Sequence, residues 1–291
     1  MQISGKTRVI GVWGYPVTHS LSPLMHNAAL SKLGLNWIYV PFSVEPGKIE
    51  SAVSSVRALD LIGVNVTVPL KEAVASLVDR VDSAAARIKS VNTIVNKSGE
   101  LVGYSTDGQG LLWDLRDKAA LPQRGSSVLV LGAGGSARAV VDSLHIAGLR
   151  VFAANRTRER VERLAADLDS PLEIVDWSHS ELTKCAESTQ LIINTTTLGM
   201  TNSGAANTLP PLADGCIGQG QVLYDLVYSP PITPLMQRAK DSGASVFNGI
   251  GMLVRQGAVS LHLWSGLELE KMPISEMEMT IQRYLSENRS E

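Results

Sequence analysis

The sequence predicts an α/β protein of two domains, an N-terminal α/β domain followed by a doubly wound one. Three observations lead there. Short apolar strands alternate with helical patterns along almost the whole chain, the rhythm of a mostly parallel sheet covered on both faces. The alternation halts once, at the Pro/Gly/Ser stretch "LPQRGSS" (121–127), and then restarts. The chain has 291 residues, enough for two domains of ordinary size. Two such units leave a cleft between them, a common place for ligands.

Each element has a local reason. "RVIGVWGY" (8–15), "NWIYVPF" (36–42), "LIGVNVTV" (61–68) and "SVNTIVN" (90–96) read as strands because β-branched and aromatic residues dominate them. Helical patterns lie between, at 23–33, 46–58, 71–78 and 82–88. Ser22-Pro23 opens the first of these, with serine as N-cap and proline at the first helical position. Pro69 closes the third strand, since it cannot donate to a ladder, and Lys71 then stands where sheet gives way to loop. "GELVGYST" (99–106) is the last strand of this half, and "DGQGLLWDLRDKAA" (107–120) is a helix leaving it. Past the boundary come strand 128–131, helix 135–147, strand 150–154, helix 157–168 and strand 172–175. "LIINTT" (191–196), "QVLYDLVY" (221–228) and "ASVFNG" (244–249) extend the sheet, and helical patterns at 251–265 and 274–287 end the chain. The tail "SENRSE" reads as a solvated end.

Composition narrows the function. Hydrophobic residues at 44% and charged residues at 19% supply an ordinary globular core. A net charge of −2 gives no basic field for nucleic acid. The start "MQISGKTRVIGVWGY" lacks a basic segment followed by a long apolar one. No apolar run reaches the roughly 18–20 residues that span a bilayer, so no membrane partner is expected. Cys185 and Cys216 are the only cysteines, far apart in sequence, which fits a reducing cytoplasm rather than a disulfide framework. His19 and His26 bracket "HSLSP" without a third ligand nearby, so no metal is expected. Trp13, Trp37, Trp113 and Trp264 sit in strand or helix patterns and read as core.

"VLVLGAGGSARAVV" (128–141) is a buried strand, a glycine turn and a helix, and Gly132, Gly134 and Ala137 fit GxGxxA. The first glycine permits the tight turn, the second lets backbone approach a pyrophosphate, and the alanine keeps helix close to sheet. Free N–H groups of the helix start meet the anion. The domain is therefore a Rossmann-type dinucleotide site. The following strand ends in Asn155-Arg156-Thr157, where an NAD enzyme carries an acid for the ribose hydroxyl. Arg156, Arg158 and Arg160 offer positive charge instead, and a guanidinium suits a 2′-phosphate. NADP is the expected cofactor. "TTTLGM" (195–200) follows a strand and is a candidate lining of the same cleft.

Hydride chemistry at an alcohol also needs a group that exchanges a proton with its oxygen. Lys71 and Asp107 stand at strand-to-helix junctions of the other domain. Taken singly, one reads as a surface lysine and the other as a helix cap; paired, they hold each other charged.

"GYPVTHSLSPLMHN" (14–27), "NVTVPLKE" (65–72), "VNTIV" (91–95), "STDGQG" (105–110), "GAGGSARA" (132–139), "NRT" (155–157) and "NGIGMLVRQGA" (248–258) follow one another at separations that resemble shikimate dehydrogenases. The resemblance implies reduction of 3-dehydroshikimate to shikimate with NADPH, in aromatic amino-acid biosynthesis. It implies catalytic roles for Lys71 and Asp107. It places Ser20, Ser22 and Tyr228 at the substrate carboxylate, and Thr67, Asn92 and Gln256 at the ring hydroxyls. At the cofactor it places Gly132, Ala133, Gly134, Gly135, Ser136 and Ala137 on the phosphates. Asn155, Arg156, Thr157 and Arg160 fall at the adenosine phosphate, and Leu226 and Gly249 along the nicotinamide. It further implies that residues 1–107, with the C-terminal helices of about 252–291, form the substrate domain, and 108–251 the NADP domain. A monomer or a homodimer is compatible with it. Two departures stand out: Lys89-Ser90 where the family usually shows Gly-Ala, and Leu226 in place of a methionine. The rival readings are a quinate/shikimate dehydrogenase with relaxed cofactor choice, and a non-catalytic NADP-sensing protein. The serine pair and "NRT" argue against the first, and the presence of both Lys71 and Asp107 against the second.

Overall fold

The computed structural model describes residues 2–168, 171–201 and 204–288; of the tail, only 286–288 lie within this range. The chain divides into two compact units, Met1–Gly110 with Leu253–Glu291, and Leu111–Met252.

The first unit runs β1 (Arg8–Gly14), α1 (Ser22–Lys32), β2 (Trp37–Ser43), α2 (Ile49–Ala58), β3 (Gly63–Val66), α3 (Lys71–Val74), β4 (Arg80–Val81), α4 (Ser83–Ile88), β5 (Thr93–Lys97) and β6 (Glu100–Tyr104). It continues into the start of α5 (Asp107–Asp117). Its sheet has the order β2-β1-β3-β5-β6-β4. Three of its five pairings are parallel, as expected of a mostly parallel sheet, and β5 departs from the pattern: it is antiparallel to both β3 and β6. The cause is the two-residue turn Ser98-Gly99, with φ of 54° and 98°, which pairs Lys97 with Glu100 and makes a hairpin. Trp13, Val53, Val56, Val64, Leu70, Val74, Val91 and Ile94 pack into one core cluster. The expected helix 71–78 shrinks to the single turn Lys71–Val74.

Hairpin geometry matters for the site. β3 and β6 end at one edge of the sheet, and the antiparallel β5 begins there. Lys71, Asn92 and Asp107 follow or precede these three strands, so the topology gathers them at that edge.

The second unit continues α5 and then runs β7 (Ser127–Leu131), α6 (Gly135–Ile146), β8 (Arg150–Ala154), α7 (Arg158–Asp167), β9 (Leu172–Ile174), α8 (His179–Glu187) and β10 (Leu191–Asn194). β11 (Val222–Asp225), α9 (Pro234–Asp241), β12 (Ser245–Asn248) and the first turn of α10 (Ile250–Ser265) complete it. The sheet is parallel throughout, in the order β12-β11-β10-β7-β8-β9. Strand order reverses between β7 and β10, the switch point where doubly wound sheets bind ligands. The rest of α10, and α11 (Ile274–Glu287), belong to the first unit, where α11 packs on α1. Among the described residues no helix is long and apolar enough to cross a membrane.

Candidate active site

Lys71 and Asp107 meet. Lys71 opens α3 and is 7% exposed; Asp107 opens α5 and is 6% exposed. The lysine Nζ donates to Asp107 Oδ2 at 2.5 Å. Asp107 Oδ1 accepts from Asn92 Nδ2 at 2.7 Å, so both carboxylate oxygens are engaged. Among the described residues Asp107 is the one hydrogen-bond partner of the Lys71 ammonium. Two of its three N–H groups remain for an external acceptor.

Asn92 holds the centre of this cluster. Its Oδ1 accepts from the Thr106 N–H at 2.8 Å, which orients the amide with nitrogen toward Asp107. The same nitrogen lies 2.9 Å from Thr106 Oγ1 and 3.3 Å from Gln256 Oε1. Gln256 reaches in from α10, its own Nε2 donating to Leu253 O at 2.8 Å.

Ser20, Ser22 and Thr67 stand at the same sheet edge but do not hydrogen-bond into this cluster. The expected N-cap is corrected: α1 begins at Ser22 itself, Leu21 holds the cap position, and no side chain caps the helix. Ser22 has helical backbone, so its hydroxyl cannot fold back on the N2 or N3 amide; instead its N–H donates to Ser20 Oγ at 3.3 Å. Thr67 follows β3 and is fixed by its N–H donating to Trp13 O at 2.8 Å. Tyr228 belongs to the second unit, and burial pushes its phenol up from the usual value.

In the second unit the glycine loop sits at the switch point. Gly132 has φ of +115°, open to glycine but not to side chains, and a Cβ there would strike Thr195 Oγ1 at 2.3 Å. Thr195 lies just past β10, its N–H donating to Leu131 O at 2.8 Å; the threonine run thus borders the loop. Gly134 is the N-cap of α6; a Cβ added there would meet nothing, so its surface is open to a pyrophosphate. Gly135, Ser136 and Ala137 form the first turn, whose N–H groups have no partner within the helix. Ala137 is fully buried and holds α6 close to the sheet. These features fit a dinucleotide.

Beyond β8, Asn155 Nδ2 donates to Thr157 O at 2.8 Å and shapes the turn. Arg156, Thr157 and Arg160 are exposed, and among the described residues neither arginine makes an ion pair. Arg158 is engaged by Glu162 and Asp176, which raises its already high pKa. Leu226 N–H donates to Asn194 O at 2.9 Å. A Cβ on Gly249 would lie 2.0 Å from Leu226 O, so these two backbones touch. Beneath them Asp225 accepts from Asn194, Val227 and Thr233, and burial pushes its carboxyl up to about 6.

The other candidates have plainer places. His26 is fully buried and stacks on Tyr39 at 4.2 Å. His19 is exposed, and the described residues contain no cluster able to hold a metal. Trp13 and Trp264 are core, while Trp37 and Trp113 are half-buried. Lys89 is exposed with φ of 51°, a left-handed position that glycine takes without strain. Thr106, Asn65, Thr93 and Ser260 were not expected among the site's supports. A signal existed for Asn65, a polar residue inside the otherwise apolar, fully buried run Gly63–Val66.

Two family models match the chain: a shikimate dehydrogenase substrate binding domain over residues 12–94 and a shikimate/quinate 5-dehydrogenase over 116–203. The shikimate dehydrogenase (NADP(+)) of Desulforamulus reducens is 41% identical over 270 residues, covering 91% of this chain and 92% of that protein. A shikimate dehydrogenase solved in complex with NADP+ superposes with a TM-score of 0.89 at 34% identity, covering 98% of both chains. The Thermus thermophilus enzyme, solved with NADP(H) and shikimate, gives 0.84 at 37% identity, covering 95% of this chain and 99% of that one.

Proposed function

Because this chain belongs to the shikimate dehydrogenase family, we propose that it interconverts 3-dehydroshikimate and shikimate with NADP(H), in the cytoplasm, as a step of aromatic amino-acid biosynthesis. The observation that carries this reading is the buried Lys71–Asp107 pair with two lysine N–H groups to spare. Bound NADP supplies the hydride exchange. The chain's own residues supply the rest.

Lys71, as an ammonium, donates to the oxygen on the reacting carbon, stabilises it as negative charge develops, and delivers the proton. Asp107 keeps Lys71 charged and aimed. Such proton transfer contributes about 10²–10⁴-fold in rate. Asn92, Gln256 and Thr67 bond the ring hydroxyls. Ser20 and Ser22, at the start of α1, take the carboxylate together with Tyr228, and the positive helix end adds about 0.3–1 kcal/mol. A site so lined rejects analogues lacking a hydroxyl, because its own polar groups would stay unpaired.

Gly132, Ala133, Gly134, Gly135, Ser136 and Ala137 cradle the pyrophosphate of the cofactor. Asn155, Arg156, Thr157 and Arg160 meet its 2′-phosphate, and the backbones of Leu226 and Gly249 line the nicotinamide. Arg158 is committed to Glu162 and Asp176, which leaves Arg156 and Arg160 as the phosphate ligands. The chain acts as a monomer or a homodimer of two domains, the substrate domain (1–107 with 252–291) and the cofactor domain (108–251).

The test is turnover of purified protein, followed at the NADPH absorbance band, with shikimate or quinate and with NADP or NAD. Shikimate with NADP is expected to be the fastest pair. Preference for quinate with NAD points to the relaxed branch of the family, and absence of turnover with every pair to a binding protein.

A further inference from the structure

We propose that Ser260 is a positioning residue for this reaction, its single hydroxyl setting the orientation of the side chains that face substrate; the inference rests on the reading above. Ser260 is fully buried on α10, one turn beyond Gln256. Its hydroxyl donates to Gln256 O at 3.0 Å, the usual habit of a serine inside a helix. Its oxygen receives Asn65 Nδ2 at 3.0 Å and lies 2.8 Å from Thr93 Oγ1 and 3.3 Å from Thr106 Oγ1.

Each of those partners is a close sequence neighbour of a residue assigned to substrate. Asn65 stands two before Thr67, Thr93 follows Asn92, and Thr106 precedes Asp107. One oxygen therefore ties together β3, β5, the start of α5 and α10. From it the path to the catalytic carboxylate is short: Thr93 Oγ1 and Thr106 Oγ1 lie 3.1 and 3.3 Å from Asn92 Oδ1, and Asn92 Nδ2 donates to Asp107 Oδ1 at 2.7 Å.

Proton counting explains why the oxygen matters. With its one proton on the Gln256 carbonyl, Ser260 acts toward the others as an acceptor. It takes a proton from Asn65 and one from a threonine hydroxyl, and the second threonine turns its proton to Asn92 Oδ1. That proton adds to the Thr106 N–H, which donates to the same Oδ1 at 2.8 Å, in holding Asn92 with oxygen toward the threonines and nitrogen toward Asp107. Flipping that amide would set its oxygen against the carboxylate. Removing the Ser260 oxygen leaves the Asn65 amide to Asn92 O at 3.2 Å and Thr93 Oγ1 at 3.0 Å, and frees both threonine hydroxyls to turn. A serine present only to satisfy the Gln256 carbonyl would cost stability alone.

The test compares wild type, Ser260→Ala, Thr93→Val and Thr93→Ser by steady-state kinetics with shikimate and NADP, by NADP affinity, and by thermal unfolding. Ser260→Ala and Thr93→Val are expected to lose about 10–100-fold in kcat/KM for shikimate, the scale of a small misplacement of catalytic groups. NADP affinity should hold, and Thr93→Ser, which keeps the hydroxyl, should restore most of the loss. Wild-type kinetics in Ser260→Ala, with or without a lower Tm, overturns the proposal. Should Ser260→Ala fail to fold, the Thr93 pair decides, and equal activity of its valine and serine variants overturns it. Wild-type protein inert toward shikimate and NADP sinks the parent reading before any substitution is compared, and this inference with it.

Discussion

The Lys71 ammonium and the Asp107 carboxylate are both almost cut off from water, so each is the other's main electrostatic partner. Removing one partner strands the other, at a cost of about 3–5 kcal/mol. Lys71→Met and Asp107→Asn are therefore each expected to lower stability by that much in chemical denaturation. The double variant should recover most of it while remaining inactive; strictly additive losses would contradict the coupling. His26 is a residue whose charge is set by burial. Neither ring nitrogen has a hydrogen-bond partner among the described residues, and burial pushes the imidazole down from 6.5 to about 3. Its folded pKa is depressed, so the native state holds fewer protons, and the stability it carries is present above 6.5 and lost as pH falls toward about 3. Unfolding free energies of wild type and His26→Leu should accordingly draw toward, or cross in favour of, leucine over that window, and a pH-independent difference would contradict the assignment. The sequence offered two histidines beside "HSLSP" and nothing about their protonation, because burial is a property of the folded chain.

Gly110 shows what an element needs from one small residue. A Cβ there would lie 2.6 Å from the Gln256 backbone nitrogen and 2.9 Å from its Cα, so α5 and α10 touch at the point where one presents Asp107 and the other Gln256. Gly110→Ala is expected to cost about 1–3 kcal/mol of stability and to raise KM for shikimate more than for NADP; unchanged kinetics would show that this contact does not set the site. Element boundaries were partly readable. The long strands and the helices α6 and α10 follow from apolar period and glycine placement, and α1 from the proline at its start. α8 and α9 were not anticipated although their caps are written in the chain: Ser178 accepts from Glu181 N–H, and Thr233 accepts from Met236 N–H with Pro234 next to it. Both are short and amphipathic, and threonine-, glycine- and proline-rich neighbours obscure their period. The antiparallel β5–β6 hairpin was also signalled, by Ser98-Gly99 between two strands with no helix to separate them, and it is the local exception in a sheet that strand–helix alternation makes mostly parallel.

For the whole molecule, sequence pattern was enough to foresee a two-part α/β chain with a dinucleotide loop between a strand and a helix, while the switch point at which that loop sits came from the strand order. Pattern was not enough to foresee how the loop's neighbours share the work. The arginine run after β8 reads as one positive patch, yet Arg158 turns to Glu162 and Asp176 while Arg156 and Arg160 stay without ion-pair partners among the described residues. Arg156→Ala is thus expected to raise KM for NADP by roughly tenfold or more, the loss of a charge-assisted phosphate contact, with little change for NAD. Arg158→Ala should leave the NADP/NAD ratio near wild type, and the reverse pattern would reassign the phosphate site. The polar network under Asn92 likewise lay outside sequence reasoning, since Asn65 and Ser260 stand 195 residues apart and only the fold brings them together.

One measurement bears most directly on the account: kcat of Lys71→Ala at saturating shikimate and NADP, beside wild type. The account predicts a fall of about 10²–10⁴-fold, with KM for shikimate changed far less. A variant that keeps near-normal kcat would remove Lys71 from the chemistry and contradict the mechanism.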